Sequence, residues 1–171
     1  YDMTSKKNQL TNNSVTSIIP VDDSVIWIST WGGGINKFNF KKNIFTNIKI
    51  DNNINRNVGW SMYLDKKGIL WVGTNGNGLL KYNIKTGEKR FFKNKRNDST
   101  TLSNNVVYGI YESTDGTFWI STGGGGLNKF NRETGIFKSY TMTDGLPNDM
   151  VMSVVEDNRK CLWISTALGV S

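Results

Sequence analysis

Few residues in this chain could do chemistry, and they favour recognition over catalysis. There is no histidine among the 171 residues, which removes His-based triads and His-ligated metal sites. The single cysteine, Cys161, excludes an intrachain disulfide. It falls in a strand position held elsewhere by Val25, Ile69 and Thr117, so it reads as a small buried residue and not as a reactive thiol. Asp65 and Asp115 sit in tight-turn sequences and read as turn formers. Glu112 and Glu156 could be invoked as a general acid and base, but both hold one position of a repeat, which reads as structural repetition. No catalytic residue, metal ligand or cofactor is expected. What remains is a set that can bind: Trp31, Trp60 and Tyr108 offer aromatic faces for stacking, and Asn57, Asn75, Asn77 and Asn105 offer amides for hydrogen bonds to hydroxyls.

Those residues stand out because they interrupt a regular pattern. Trp27-Ile28-Ser29-Thr30, Trp71-Val72-Gly73-Thr74, Trp119-Ile120-Ser121-Thr122 and Trp163-Ile164-Ser165-Thr166 are copies of one phrase, with tryptophans 44, 48 and 44 residues apart. Strand-rich units of that period are the mark of propeller blades, which bury their apolar faces only against neighbours. Seventeen residues before each Trp stands Leu10, Ile54, Leu102 or Leu146, so the front half of each unit is rigidly specified. The units run over about 10–53, 54–101, 102–145 and 146–171, the last truncated.

Each unit reads as a four-stranded antiparallel meander. First strands are expected near Val15–Val21, Gly59–Asp65, Val107–Ser113 and Val151–Asp157, apolar enough to be covered on both faces. Small residues recur ten positions before the Trp (Ser17, Ser61, Gly109, Ser153), which suits crowding around an axis. The repeated indoles are expected to fill the gaps between adjacent sheets. Glycine clusters follow the Trp phrase, but strands such as Leu79-Leu80-Lys81-Tyr82-Asn83 come next, so the glycines read as turns and not as a phosphate cradle. Fourth strands are expected near Phe45–Ile50, Lys89–Lys93 and Ile136–Met142. Two loop sets, the connections between units and the Gly-rich turns, should share the face at the mouth of a central channel. Against the repeat, Trp31 replaces Asn75, Gly123 and Ala167, and the series Thr16, Trp60, Tyr108, Met152 varies at one position.

The net charge is +7, yet the lysines are scattered over turns and strand ends, so no nucleic-acid partner is expected. No run of 18 apolar residues is present, so no direct membrane insertion is expected.

The phrase Leu-Ser/Thr-Asn-Asn, strand, Asp-x-x-Gly, Trp-Ile-Ser/Gly-Thr, Gly-rich turn, Gly-Leu/Ile-x-Lys-Phe/Tyr-Asn resembles the two-component regulator propeller repeat, most fully from Leu102 to Asn131. The resemblance implies an all-β propeller, about four blades of one with about seven. Tyr1 would match the end of a fourth strand and Ser171 would fall in a third. It further implies a ligand-sensing module on the extracytoplasmic, periplasmic side of an inner-membrane hybrid histidine kinase. The ligand would be an oligosaccharide or another small extracellular molecule, and the module would have no enzymatic activity of its own. The alternatives are a sensor region ahead of a diguanylate cyclase, or a protein-interaction platform that forms homo-oligomers through its end blades.

Overall fold

The computed structural model describes residues 8–53 and 55–171. The positions assigned above to Tyr1 and Ile54 lie outside them. The first sheet holds β1 (Val15–Asp22), β2 (Val25–Thr30), β3 (Gly34–Asn39) and β4 (Ile44–Ile48). The second holds β5 (Gly59–Leu64), β6 (Ile69–Thr74), β7 (Leu79–Asn83) and β8 (Lys89–Phe92). The third holds β9 (Val107–Glu112), β10 (Phe118–Thr122), β11 (Leu127–Phe130) and β12 (Phe137–Tyr140). The fourth holds β13 (Val151–Glu156), β14 (Leu162–Thr166) and β15 (Gly169–Val170). Every sheet is an antiparallel meander in chain order. First strands pack beside first strands, β1 on β5, β5 on β9 and β9 on β13, the arrangement of propeller blades about a hub. Among the described residues the only helical piece is the 3-10 turn Met142–Asp144, so β12 ends earlier than the sequence suggested.

Four local devices recur and explain why this sequence folds into these units. The phrase threonine ties down the turn that follows it: Thr74 Oγ1 donates to Gly78 O at 2.7 Å and Thr122 Oγ1 to Gly126 O at 2.8 Å. The indole N–H is held by the hairpin residue six positions earlier, with Trp71 Nε1 donating to Asp65 at 3.0 Å, Trp119 to Ser113 at 3.0 Å and Trp163 to Asp157 at 3.1 Å. In the first sheet that place belongs to Val21, which has no acceptor to offer. The loop between third and fourth strands closes on a left-handed residue, with φ of +77° at Gly87 and +78° at Gly135. Asn43 takes the same role at +50°, as asparagine can. Finally, one clamp joins successive sheets: Ile50, Asn94 and Met142 donate their backbone N–H to the side chains of Asn57, Asn105 and Asp149 at 2.7, 2.8 and 2.7 Å.

The core lies between sheets. Trp27 (2% exposed) packs on Met62, Leu70, Val72 and Tyr82 of the second sheet. Trp71 (1% exposed) packs on Phe118, Ile120 and Phe130 of the third, with ring centroids 5.4 Å from Phe118 and 5.6 Å from Phe130. Half-buried Trp119 packs on the cluster that contains Val151 and Val154 of the fourth. The small residues near the hub are needed: a Cβ on Gly73 would stand 2.7 Å from Val107 O, and one on Gly109 would stand 2.9 Å from Met152 O.

Three expectations fail, for one reason. Trp163 is 49% exposed, Cys161 is exposed, and β1 and β13 are largely uncovered. Cys161, just before β14, and Trp163 within it alternate onto one face, and among the described residues no further sheet covers that face. Position in the array therefore outweighs position in the repeat. Replacing Trp71 by Ala is expected to cost about 3–5 kcal/mol, and Trp163→Ala under about 1 kcal/mol. Urea unfolding of the two variants measures the difference.

Candidate functional site

Strand pairing places an extra residue at one point in every blade. Val15 and Ser17 oppose Thr30 and Ser29, which leaves Thr16 outside the ladder. Gly59 and Ser61 oppose Thr74 and Gly73, leaving Trp60. Val107 and Gly109 oppose Thr122 and Ser121, leaving Tyr108. Val151 and Ser153 oppose Thr166 and Ser165, leaving Met152. These are β-bulges, and a bulge re-aims the side chain it carries. The variable series Thr16, Trp60, Tyr108 and Met152 is thus the one the backbone turns out of its sheets, at the end of the strands where the Gly-rich turns and connections gather.

At that end three aromatic candidates meet. Trp31, immediately after β2, lies 4.9 Å from Trp60 between ring centroids at an interplanar angle of 78°. Trp60 lies 5.8 Å from Tyr108 at 72°. Edge-to-face pairs of this kind hold each other's orientation. Trp31 is 45% exposed, so the row presents indole surface to solvent. Tyr108 lies down across Gly123, where a Cβ would stand 3.0 Å from its Cε2. Space, and not a left-handed backbone, is what requires glycine there. Beneath the row, Ser61 Oγ and Ser121 Oγ are buried without a partner, as is Trp60 Nε1. The serines' cross-strand counterparts are Gly73 and Gly109, whereas in the fourth sheet Ser153 and Ser165 bond each other at 3.0 Å.

The asparagine candidates have structural work. Asn57 is buried; besides its clamp bond, its Nδ2 donates to Gly32 O at 2.8 Å. Asn105 is the clamp of the next connection, and its carbonyl accepts from Gly76 and Gly78 at 3.0 and 2.8 Å. That carbonyl also occupies the turn N–H groups a phosphate would need. Asn77 is buried, donating to Asp51 at 2.7 Å and accepting from Lys93 Nζ at 3.2 Å. Asn75 is half-buried; its Nδ2 donates to Asn55 O at 3.1 Å. The clamp role was detectable: Asn57, Asn105 and Asp149 share one repeat position.

Glu112 and Glu156 lie at the opposite end of the strands. Glu112 accepts from Tyr63 Oη at 2.7 Å and from both Arg132 nitrogens at 2.9 and 2.8 Å, lashing the second sheet to the third. Glu156 accepts from Thr114 N and Oγ1 at 2.7 and 3.1 Å, lashing the third to the fourth. The Arg132 guanidinium holds the Glu112 carboxyl below the usual carboxylate range. Burial, then the Glu112 bond, pushes the Tyr63 phenol up to about 12. A cleft of about 290 Å³ opens beside this network, lined by Asp65, Lys67, Trp71, Lys81 and Arg132. No three carboxylate or thiol side chains converge to hold a metal among the described residues.

The bulge, the Trp phrase and the connection before them are the parts that match a known family. Residues 51–76, 101–124 and 145–167 match the two component regulator propeller. In these three segments the chain is similar to the two component regulator propeller. No curated protein matches the sequence. Solved structures with this fold include the extracellular domain of BT4673 from B. thetaiotaomicron, described as belonging to a hybrid two component system (TM-score 0.77, 22% identity, 97% of this chain and 22% of that one). A second is the extracellular domain of BT3049 from the same organism, described likewise (0.55, 20%, 99% and 28%). A third is the WD40 beta propeller domain of Doa1 (0.67, 15%, 93% and 50%). This chain spans only 22% and 28% of the two bacterial domains, and identities at this level show the fold alone. In each matched regulator propeller segment the bulge residue differs (Trp60, Tyr108, Met152) while the phrase threonine does not.

Two outcomes follow. Gly123→Ala should lift Tyr108 from its bed and alter the near-UV circular dichroism of the aromatic row, with far-UV dichroism unchanged. The Tyr63–Glu112–Arg132 network should give stability a pH dependence on both limbs. Unfolded Tyr63 ionises near about 10 and the folded phenol near about 12, so its contribution is full below about 10 and lost as pH rises towards 12. Folded Glu112 has the lower pKa, so its contribution is full above about 4.3 and lost as pH falls through the folded value. Urea midpoints measured against pH should show Tyr63→Phe flattening the alkaline limb and Glu112→Gln the acid limb.

Proposed function

We propose that this chain is a ligand-sensing part of the extracytoplasmic, periplasmic region of an inner-membrane two-component sensor. The family match and the likeness to extracellular domains of two-component systems support the setting. The observation that carries the reading is the aromatic row Trp31–Trp60–Tyr108 at one end of the blades, with Trp60 and Tyr108 mounted on bulges and Trp31, just after β2, 45% exposed. Ring faces of this kind stack on the C–H faces of sugars, and an oligosaccharide is the ligand class proposed. The chain performs no chemistry itself. Binding would favour one placement of the surrounding domains over another and so bias a downstream histidine kinase; the energy available is the ligand's differential affinity for the two placements.

A protein-interaction platform is the second reading. It is favoured by Met150 (37% exposed), Met152 (41%) and Leu168 (71%) at the same end of the blades, since methionine-rich surfaces adapt to protein partners. Calorimetry of the chain against a panel of neutral and acidic oligosaccharides separates the two. The expected result is binding that weakens at least about tenfold, or ~1.4 kcal/mol, in both Trp31→Ala and Trp60→Ala, with unfolding still cooperative. Binding indifferent to both variants, or hydrolysis of any oligosaccharide tested, overturns the proposal.

A further inference from the structure

The cleft of about 290 Å³ between the second and third sheets has no part in the aromatic row, and its charges are unbalanced. Both sheets have a neighbouring sheet on each side, so the cleft is formed wholly inside the array. The hairpin between β5 and β6 supplies Asp65, Lys66 and Lys67, and β7 supplies Lys81. From the third sheet come Glu112 at the end of β9, and Arg132 and Glu133 between β11 and β12.

Two of the three carboxylates are already spent. Asp65 Oδ1 accepts from the backbone N–H of Lys67 and Ile69 at 2.9 and 3.0 Å, and its Oδ2 accepts from Trp71 Nε1 at 3.0 Å. Glu112 accepts from Tyr63 and from both Arg132 nitrogens. Arg132–Glu112 and Arg159–Asp157 are the ion pairs among the described residues. Lys66, Lys67 and Lys81 therefore have no carboxylate partner there, and Glu133 is the one uncommitted acid beside them.

Departures from the repeat gather at this cleft, as they do at the aromatic row. Lys66-Lys67 hold the hairpin positions of Asp22-Asp23 in the first unit and Thr114-Asp115 in the third. Arg132 stands where the first and second units have Phe40 and Ile84. Lys81 recurs as Lys37 and Lys129, and its Nζ lies 5.7 Å from the Trp71 ring centroid. The Arg132 guanidinium lies 4.6 Å from that of Phe118. Ring faces hold cations in place without neutralising them.

We propose that this cleft binds a tetrahedral dianion, sulfate or phosphate, either free or as an ester on a small molecule. Ammonium groups are compact point charges with rotatable donors, which suits a group that presents oxygens in several directions. The cleft is at the small end of the range for ligand sites, about 300–1,000 Å³, which suits a compact anion. Its apolar lining, Ile69 and Trp71, concentrates the field of the lysines. The inference is independent of the oligosaccharide reading, because the cleft and the aromatic row lie at opposite ends of the strands.

Calorimetric titration at low ionic strength with sodium sulfate, sodium phosphate, glucose 6-sulfate and glucose 6-phosphate tests it. The expected result is saturable binding of one anion per chain. Affinity should fall at least about tenfold in the double variant Lys66→Gln with Lys67→Gln, and likewise in Lys81→Gln. Lys66 and Lys67 are exposed and Lys81 is half-buried, so far-UV dichroism should not change. Arg132 is left in place because it ties the two sheets together. The double variant Lys41→Gln with Lys42→Gln removes the same charge from an exposed loop of the first sheet. It should leave affinity within about twofold, since charges beyond a Debye length are largely screened. Tighter binding of the sugar esters marks an ester as the ligand, and equal binding marks a free oxyanion; both support the site. A chain that binds none of the four anions overturns the proposal. So does binding that survives the cleft substitutions, or that the Lys41 and Lys42 change weakens equally. Titration with neutral oligosaccharides reports on the aromatic row alone, so failure of either reading leaves the other standing.

Discussion

Everything in this molecule depends on an indole buried between two sheets. A single meander of this kind has an apolar surface on each side and cannot cover either one. Trp27 and Trp71 are almost wholly buried because a following sheet exists to receive them. Trp163, whose N–H has an aspartate acceptor as that of Trp71 does, is half exposed because among the described residues no such sheet is present. The stabilising contact is thus a property of pairs of blades. Removal of one large aromatic from such an interface is among the costliest changes a core can suffer, whereas the same residue at an uncovered face contributes little.

Around that packing, short polar bonds fix where each strand starts and stops. The phrase threonine fastens the Gly-rich turn, and the Asn57, Asn105 and Asp149 clamp fastens the connection between blades. With both loop sets pinned, the bulge between them becomes a rigid mount whose side chain is free to differ. This division explains how a strict repeat can carry a variable surface. Residues that hold the backbone recur, and the residue turned out of the ladder changes from threonine to tryptophan, tyrosine and methionine. At the other end of the strands, Glu112 and Glu156 reach back to the preceding sheet, so charge there joins blades.

The same division sets how much of the site was legible. Trp31, Trp60 and Tyr108 could be picked out because they break the pattern, and the structure brings all three together. Asn57 and Asn105 read as amides for a ligand's hydroxyls, and in the structure their side-chain oxygens hold the connections between blades; Asp149 at the same position signals that acceptor role. The bulges are not legible in the sequence. Alternation along a strand reads inside from outside, but one unpaired residue does not disturb it visibly over six positions.

From the chain alone, the phrase spacing, the aliphatic strands and the turn residues determined the four-stranded unit, its repetition and the aromatic character of the variable positions, because all of these are set by contacts a few residues apart. Only the tertiary structure decided which tryptophans are buried, that Cys161 faces solvent, that the asparagines hold loops, and that the aromatic residues form one continuous row. Those outcomes depend on what stands across an interface some 44 residues away, and a repeat reads the same whether or not its neighbour is there.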